Sequence, residues 1–447
     1  MTTQKYAEVI LPFPLEGTYT YIIPESLEDS INIGVRAVVP FGKNKQYSGI
    51  VKNIHQNKPT SFKPKEILET LDEKPIVSRQ HLKFWEWIAE YYSCHLGEVM
   101  ANALPSYLKL QSETSIHLDI AVEKVDEIDD VNEDEILLLE ALSIKQKLSL
   151  KEAGEISGVK NPFPLVNSLR MKGYVIMEEE LNNIYKPKKQ RYIYLDEKYQ
   201  QDGEMHDLLD KLERAPVQSN LILAYLHLKD KQNRISRKAL LKKSGSSAGS
   251  LKSLIDKGIL IESEETIDRI PDTKNSEPES YLLSNAQTKA LESINTAFKK
   301  HVSVLLHGVT GSGKTLIYAE LIKHISSKGQ VLYLVPEIAL SAQLIKRLRR
   351  ILGSEIGIYH SKFNPSERVE IWNKVLNNEY KIVLGVRSAL FLPFQNLELI
   401  IVDEEHESTY KQQDPAPRYH ARDAAVWYAH SNKAKILLGS ATPSFES

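Results

Sequence analysis

His307-Gly308-Val309-Thr310-Gly311-Ser312-Gly313-Lys314-Thr315 fits the pattern G-x-x-x-x-G-K-[ST], in which the loop between a strand and a helix binds phosphate. The apolar run 302–306 precedes this stretch and predicts a buried strand. Apolar residues at helical spacing over 316–326 predict the helix that follows. Because strand, loop and helix occur in the order that the motif requires, we expect a parallel-sheet α/β nucleotide-binding domain over residues 281–447.

The residue types in this loop explain how it would hold a nucleotide. Gly308, Gly311 and Gly313 let successive backbone N–H groups turn toward one anion, and the helix N-terminus adds its positive end. We expect Lys314 to reach the β- and γ-phosphates of ATP and the hydroxyl of Thr315 to ligate Mg²⁺. The alternative is a glycine-rich turn with a chance lysine.

Two further motifs follow apolar runs. The run 399–402 ends in Asp-Glu-Glu-His at 403–406, and a later run ends in Gly-Ser-Ala-Thr at 439–442. The carboxyl ends of parallel strands face the crevice where α/β sheets bind ligands. We therefore expect Asp403 to hold Mg²⁺ and Glu404 to orient or deprotonate the attacking water.

Composition narrows the class of protein. The 447 residues are 42% hydrophobic and 26% charged, which is typical of a globular chain with several domains. The net charge of −2 means that nucleic-acid binding would need local basic patches. No apolar run approaches the roughly 20 residues of a membrane span, and the N-terminus lacks the apolar core of a signal peptide, so we expect a cytoplasmic protein. Cys94 is the only cysteine, which excludes an internal disulfide and a cysteine-based zinc site in these residues.

Residues 1–110 predict a β-rich module followed by two helices. The runs 18–23, 34–42 and 47–51 are rich in β-branched and aromatic residues, as strands are. Tyr19 and Tyr21 would either stack on nucleic-acid bases or pack in a small β core.

An internal repeat lies in residues 111–280. Ser168, Leu169, Lys172 and Gly173 recur 85 positions later as Ser253, Leu254, Lys257 and Gly258. Each copy predicts three helices, a glycine and a strand, which indicates winged-helix-like units over 130–182 and 215–265. Such units bind DNA or serve as spacers and protein docks. Between them, the basic residues of 186–191 either contact phosphates or form a solvated linker.

Three more features of 281–447 suit ligands. Gln287 would either hydrogen-bond an adenine edge or remain an ordinary surface glutamine. Arg387 follows a predicted strand and suits the phosphates of a nucleic acid. Aromatic and cationic residues interleave in 408–420, which favours contact with single-stranded bases and backbone. The residues concerned are Tyr410, Lys411, Arg418 and Tyr419.

Together these motifs resemble the superfamily 2 helicases, and most closely the bacterial primosomal replication-restart helicase family PriA. The stretches that carry the resemblance are 336–340, 387–391, 403–406, 410–413, 418–423 and 439–443, with 18–24 and 39–43 near the N-terminus. The resemblance implies a multidomain α/β chain with a RecA-like helicase lobe. It also implies an N-terminal domain that binds the 3′ end of DNA through Tyr19, Thr20, Tyr21, Gly42 and Lys65. Thr20 stands where the family often has an acidic residue.

The function that the resemblance implies is that of an ATP-dependent 3′-to-5′ DNA helicase, which recognises stalled or abandoned replication forks and restarts replication by primosome assembly. Forked and single-stranded DNA, other primosome proteins and a single-strand-binding protein are the implied partners. The alternatives are a non-enzymatic module that binds forks or 3′ ends, and an RNA-remodelling superfamily 2 ATPase.

Length is where the chain departs from the family. The family continues into a second lobe with an arginine finger, a cysteine-rich zinc module and a further DNA-binding domain, whereas this chain stops at Ser447. We therefore expect an N-terminal portion, with zinc only in the absent part. Because an arginine finger contributes roughly 10³–10⁵ in rate, we also expect weak ATP binding with little turnover.

Overall fold

The computed structural model of the chain divides into two compact units. One unit combines Met1–Tyr185 with Thr273–Ser447, and the other is Lys186–Asp272. The residues described are 4–42, 45–109, 112–119, 131–159, 162–181, 189–199, 202–229, 234–266, 281–337, 339–340, 342–353, 356–360 and 362–447. Every helix within these ranges is too short or too polar to span a membrane.

A five-stranded antiparallel sheet and two helices form the N-terminal part of the first unit. The elements are β1 (Tyr6–Ile10), β2 (Tyr19–Ile22), β3 (Arg36–Phe41), β4 (Lys45–His55), β5 (Glu69–Thr70), α1 (Arg79–Tyr91) and α2 (Leu96–Ala103). The strand order is β2-β1-β4-β3-β5. Alternate side chains such as Ala7, Val9 and Val51 fill the core, because successive residues of a strand point to opposite faces. The predicted β-rich N-terminal fold is confirmed, whereas the two-residue β5 was not predicted.

A second small sheet follows in the same unit. Its elements are β6 (Ser112–Leu118), α3 (Glu133–Lys145), β7 (Lys147–Ser149), α4 (Leu150–Ser157), α5 (Phe163–Met171) and β8 (Val175–Leu181). The strands follow the order β7-β6-β8, and Leu139, Leu142 and Val166 are fully buried between sheet and helices. Gly173 turns the chain from α5 into β8 with a φ of 79°, a conformation that favours glycine. The three helices, the glycine and the final strand follow in the predicted order. The sheet also includes β6, which lies before the predicted start of this unit at residue 130.

The second unit is also built from helices on a three-stranded sheet. Its elements are β9 (Lys189–Leu195), α6 (Asp202–Lys211), α7 (Pro216–Lys229), β10 (Ile235–Ser236), α8 (Arg237–Ser244), α9 (Ala248–Asp256) and β11 (Leu260–Thr266). The strand order is β10-β9-β11.

The strand β9 corrects the interpretation of the basic stretch 186–191. Lys189 and Arg191 are strand residues rather than parts of a linker. The ammonium of Lys189 lies 2.9 Å from the Glu264 carboxylate, and the guanidinium of Arg191 lies 3.6 Å from that of Glu262, both on β11. These two cations are therefore engaged by carboxylates of the neighbouring strand. Lys186 and Lys188 lie outside the described residues.

The C-terminal part of the first unit is a parallel sheet covered by helices. Its elements are α10 (Asn285–Phe298), β12 (Ser303–His307), α11 (Lys314–Ser326), β13 (Gln330–Leu334), α12 (Ala342–Leu352), β14 (Ile356–Tyr359), α13 (Pro365–Leu376), β15 (Ile382–Gly385), β16 (Leu397–Asp403), α14 (Ala421–Asn432) and β17 (Lys435–Ser440). All six strands are parallel in the order β12-β17-β16-β13-β15-β14. The predicted parallel-sheet lobe is confirmed. The strand predicted before the glycine loop is present, but the prediction that it is buried is wrong, because β12 lies at the sheet edge, where Leu305 is 40% exposed.

Helix α1 packs against α14 and so joins the N-terminal region to the parallel-sheet lobe. The rings of Phe84 and Tyr428 lie 4.5 Å apart between centroids, and the indoles of Trp87 and Trp427 stack at 4.9 Å. Phe84 and Tyr428 are fully buried. Aromatic pairs of this kind contribute about 0.5–1.5 kcal/mol each beyond their buried area, so this contact holds the two regions together firmly.

A buried histidine in this contact makes stability depend on pH. Nε2 of His81 lies 2.8 Å from the carbonyl oxygen of Leu392 and 2.8 Å from the hydroxyl of Tyr428. Burial lowers the pKa of His81 to about 4, although the bond to Leu392 acts in the opposite direction. As the pH falls below about 6.5, the unfolded chain binds a proton at this position and the folded chain does not, so folding becomes less favourable.

We expect the free energy of unfolding to fall by about 2 kcal/mol between pH 7.5 and pH 5 through His81 alone. Chemical denaturation at the two pH values would measure this loss. His81→Gln retains a hydrogen-bond donor but does not titrate, so its stability should change less with pH than that of the wild type. The same pH dependence in both proteins would contradict the assignment.

Candidate nucleotide site and nucleic-acid contacts

The loop between β12 and α11 has the backbone that anion binding requires. Gly311 and Gly313 adopt left-handed conformations with φ of 80° and 83°, which glycine reaches without strain. Gly313 is the N-terminal cap of α11, and Lys314 and Thr315 begin that helix. The ammonium of Lys314 donates to the carbonyl oxygen of Gly308 at 2.8 Å, so it folds back over the loop. The backbone N–H groups and the positive helix end can therefore bind a phosphate beside Lys314.

Gln287 lies directly against this loop. Its amide nitrogen donates to the carbonyl oxygen of Ser312 at 3.0 Å, and its amide oxygen accepts from the backbone N–H of Ser284 at 2.9 Å. A side chain at Gly313 would place its Cβ 2.3 Å from the Gln287 nitrogen, so a larger residue there would displace the Gln287 amide from this position. Both ends of the amide are engaged by the chain in this structure, and the adenine contact stays a prediction.

The sheet brings the acidic pair to the glycine loop. Asp403 is the last residue of β16, and Glu404 leaves the strand with a φ of 46°, an uncommon conformation for a residue with a side chain. The Glu404 carboxylate lies 3.4 Å from the ammonium of Lys314. The lysine predicted to bind phosphate and the carboxylate predicted to act on water thus converge at one edge of the sheet.

Two tyrosines fix the carboxylate of Asp403. The hydroxyl of Tyr318 donates to Oδ1 and that of Tyr333 donates to Oδ2, each at 3.0 Å. Both rings are buried and meet edge to face at 5.6 Å. Burial raises the pKa of the Asp403 carboxyl, while the two hydroxyls act to lower it. A Cβ at Gly439 would lie 1.8 Å from the Tyr318 hydroxyl, so the glycine before the Ser-Ala-Thr motif leaves room for this bond.

Sequence reasoning missed these tyrosines. Tyr318 stands four residues after Lys314, on the same face of α11, and this spacing was the available signal. Tyr333 lies inside β13, and nothing in its own stretch indicates that its ring reaches a neighbouring strand.

The motif 403–406 is also joined to the Ser-Ala-Thr motif. Nδ1 of His406 lies 2.7 Å from the hydroxyl oxygen of Ser440 and 3.8 Å from the Glu404 carboxylate. The same hydroxyl oxygen accepts the backbone N–H of Thr442 at 3.0 Å. His406 thus lies between Glu404 and the end of β17 and contacts both.

Glu405 anchors the segment after β17. Its carboxylate is fully buried and lies 3.2 Å from the guanidinium of Arg422. It also accepts the backbone N–H of Ser444 at 2.8 Å and the hydroxyl of Ser447 at 2.7 Å. Burial raises the pKa of Glu405, but these donors outweigh it and hold the pKa below the ordinary value.

The loop 408–420 packs inward at its two tyrosines. Tyr410 is 1% exposed and donates to the carbonyl oxygen of Asp403 at 2.7 Å, and Tyr419 is fully buried. The guanidinium of Arg387 donates to the carbonyl oxygen of Thr409 at 3.0 Å, so it braces this loop. Arg418 is exposed. In this conformation neither tyrosine presents a ring to solvent, and contact of this loop with single-stranded DNA stays a prediction.

The loop also contacts the N-terminal region. The amide of Gln412 donates to Asn102 at 3.1 Å, and the backbone N–H of His420 donates to the hydroxyl of Tyr92 at 3.1 Å. The ammonium of Lys411 lies 5.3 Å from the centroid of the Tyr92 ring, within range of a cation–π interaction. The loop next to the acidic motif is thus held by residues from α2 and the end of α1.

The residues predicted to bind a 3′ end lie on and beside β2. Tyr21 is 4% exposed and donates to the carbonyl oxygen of Pro40 at 3.3 Å, and Tyr19 packs on Phe41 with ring centroids 4.9 Å apart. Both tyrosines therefore pack at the core, as one of the two interpretations expected. The ammonium of Lys65 donates to the carbonyl oxygen of Gly42 at 2.8 Å, so these two residues lie together.

Thr20 is separated from these tyrosines. Because side chains alternate along a strand, Thr20 projects from the face of β2 opposite to Tyr19 and Tyr21. It pairs with Glu8 across β1. A ligand that touches all of the predicted residues would therefore have to reach around the edge of the sheet.

Three family models match this chain. One described as a 3′DNA-binding domain (3′BD) matches residues 8–105, and one described as a DEAD/DEAH box helicase matches 284–447. A third, described as a winged helix domain of the PriA helicase of Bacteroidota, matches 190–267. The winged-helix match runs from the second residue of β9 through the end of β11.

Two of the curated relatives align along almost the whole chain. The replication restart protein PriA of Bacillus subtilis is 31% identical over 452 residues, which cover 99% of this chain and 54% of that protein. That of Synechocystis is 32% identical over 463 residues, which cover 100% of this chain and 53% of that protein. In Helicobacter pylori the identity is 44% over 172 residues, 38% of this chain and 27% of that protein. The chain spans about half the length of the first two.

Proposed function

We propose that this chain belongs to the PriA family of replication restart proteins and that it carries the DNA-end-binding and ATP-binding parts of a DNA helicase. This helicase recognises stalled or abandoned forks, unwinds DNA from 3′ to 5′ and restarts replication through primosome assembly. Its ligands are forked and single-stranded DNA, and its partners are other primosome proteins and a single-strand-binding protein. The convergence of Lys314, Asp403 and Glu404 at the carboxyl edge of one sheet is the observation that supports an ATPase site.

Each residue of this site has a chemical task. Lys314 leaves Gly308 and donates to the β- and γ-phosphates, while the loop N–H groups hold the anion. Thr315 and Asp403 would offer oxygens to Mg²⁺, which prefers one or two protein oxygens together with waters and substrate phosphates. Mg²⁺ held there would supply positive charge against the phosphates. Glu404, released from Lys314, accepts a proton from the attacking water.

The tyrosine pair supplies a prediction about Mg²⁺. We expect Tyr318→Phe to weaken the Mg²⁺-dependent binding of a fluorescent ATP analogue about tenfold, because side chains that orient a metal ligand contribute roughly 10–100-fold to metal affinity. Binding in EDTA should change little. Tyr281→Phe is the matched control, since it removes a tyrosine–carboxylate bond to Glu320 of the same helix, away from Asp403. Equal losses with and without Mg²⁺ would contradict the role of Tyr318.

Fluorescence anisotropy with forked DNA tests recognition of the 3′ end. The leading-strand end would carry either a free 3′-hydroxyl or a 3′-phosphate. We expect tighter binding of the free hydroxyl, because the phosphate adds bulk and removes a hydrogen-bond donor. Lys65→Ala should lower the affinity for the free end about tenfold, since a hydrogen bond to a charged group contributes roughly 1.5–3 kcal/mol.

Lys74→Ala provides the control, because Lys74 is an exposed lysine of the segment that follows β5, outside the predicted site. It should bind both forks as the wild type does. Equal affinity of the wild type for the 3′-hydroxyl and the 3′-phosphate fork would mean that this region does not recognise the 3′ end. Equal binding of RNA and DNA ends would favour an RNA-remodelling ATPase instead.

A further inference from the structure

A groove of about 740 Å³ lies beside the strand that carries Thr20. Its floor is formed by Tyr6 and Ile22, which pair directly across β1 and β2. Its wall is the loop 58–64, which begins with Lys58-Pro59 and ends with Lys63-Pro64. This volume is within the range of ligand-binding clefts.

The groove offers an exposed aromatic ring between two cations. Phe62 is 53% exposed, although a phenylalanine in a stable domain is usually buried. Lys58 and Lys63 are also exposed, and no carboxylate is among the residues that line the groove. Aromatic rings interleaved with cations bind single-stranded nucleic acid, because every base has a face that stacks and every linkage carries a negative charge.

The groove borders the residues predicted to hold the 3′ end. Ile22 lies two positions after Thr20 and so on the same face of β2. Lys65 directly follows Pro64 at the end of the loop, and its carbonyl oxygen accepts the backbone N–H of Ile22 at 2.8 Å. A DNA strand whose 3′ end reaches Thr20 and Lys65 would therefore lie next to the groove.

We propose that this groove binds the nucleotides that precede the 3′-terminal one, with a base stacked on Phe62 and the backbone held by Lys58 and Lys63. The proposal rests on the proposed recognition of a DNA 3′ end. It extends that recognition from one nucleotide to a short single-stranded tail.

Duplexes with 3′ single-stranded tails of one and of four nucleotides test this proposal by anisotropy. Phe62→Ala should weaken binding of the four-nucleotide tail about tenfold, as loss of one stacked base does. It should leave the one-nucleotide tail within twofold of the wild type. Phe62→Trp keeps an aromatic face and should bind the longer tail as the wild type does. Because Phe62 is half exposed, neither change removes a core side chain.

The salt dependence of binding tests the two lysines of the groove independently. Replacing Lys58 and Lys63 with Gln together should reduce the slope of log affinity against log salt by about 1.4 for the longer tail, since each phosphate contact on a single strand contributes about 0.7. Unchanged affinity of Phe62→Ala for the longer tail would overturn the proposal. If the wild type binds free and 3′-blocked ends equally but Phe62→Ala still loses affinity for the longer tail, the proposed recognition of the 3′ end is wrong. The groove would then be a site for single-stranded DNA without preference for an end.

Discussion

Lys314→Ala should lower the affinity of the chain for ATP by about ten- to a hundredfold, because a hydrogen bond to a charged group contributes roughly 1.5–3 kcal/mol. The lysine is pre-positioned: its side chain is only 8% exposed and spans the glycine loop between Gly308 and Glu404. No neighbouring cation replaces it in the contacts that the structure describes around Glu404, where the other ion-pair partner is His406. Titration with a fluorescent ATP analogue in Mg²⁺ measures the loss.

Lys328→Ala is the matched control, because Lys328 is an exposed lysine shortly after the end of α11. It should bind ATP like the wild type. The Lys314 variant should also retain its affinity for a DNA 3′ end, since Lys314 lies in the parallel-sheet lobe and not in the N-terminal sheet. Unchanged nucleotide binding by Lys314→Ala would favour a non-enzymatic module that binds forks or 3′ ends.

Glu405→Ala should reduce the free energy of unfolding by about 3–5 kcal/mol, the usual cost of removing one partner of a buried ion pair. The substitution leaves the guanidinium of Arg422 without its buried carboxylate and removes the acceptor of the Ser444 N–H. Chemical denaturation followed by tryptophan fluorescence measures the change. A loss below about 1 kcal/mol would mean that Asp423, 2.7 Å from Arg422, is a sufficient partner.

Glu405→Gln separates charge from hydrogen bonding. It keeps the shape and one acceptor oxygen, so it should be destabilised less than the alanine variant. The pKa of Glu405 is lower in the folded chain than in the unfolded chain, so its stabilisation is present above the unfolded pKa and is lost as the pH falls through the folded pKa. The glutamine variant should lack this acid-dependent part of the loss.

The sequence predicts well those elements whose signal is local. The strand–loop–helix around Lys314 and the strand that ends at Asp403 follow from apolar runs and motif spacing, and both are present. The edge position of β12 could not be predicted in this way, because exposure depends on which strands lie beside it. Strand β9 was missed because its basic residues look solvated until β11 supplies their carboxylates.

Side-chain orientation in the candidate site depends on distant parts of the chain. Interleaved aromatic and basic residues in 408–420 predict contact with single-stranded nucleic acid, but they do not indicate that the Tyr410 hydroxyl bonds the backbone of Asp403. The same loop meets Asn102, which is 310 positions away from Gln412. Local patterns carry no information about such contacts. The tyrosines that hold Asp403 were missed for the same reason, since three separate elements meet there.

The stacked aromatic contact between α1 and α14 also sets a distance. Phe84, Trp87, Trp427 and Tyr428 hold the N-terminal sheet in a fixed position on the parallel-sheet lobe. If a DNA terminus and a nucleotide bind where we propose, this contact sets the distance between their two binding sites. The first unit would then hold the end of one DNA strand at a defined distance from the place where ATP is hydrolysed.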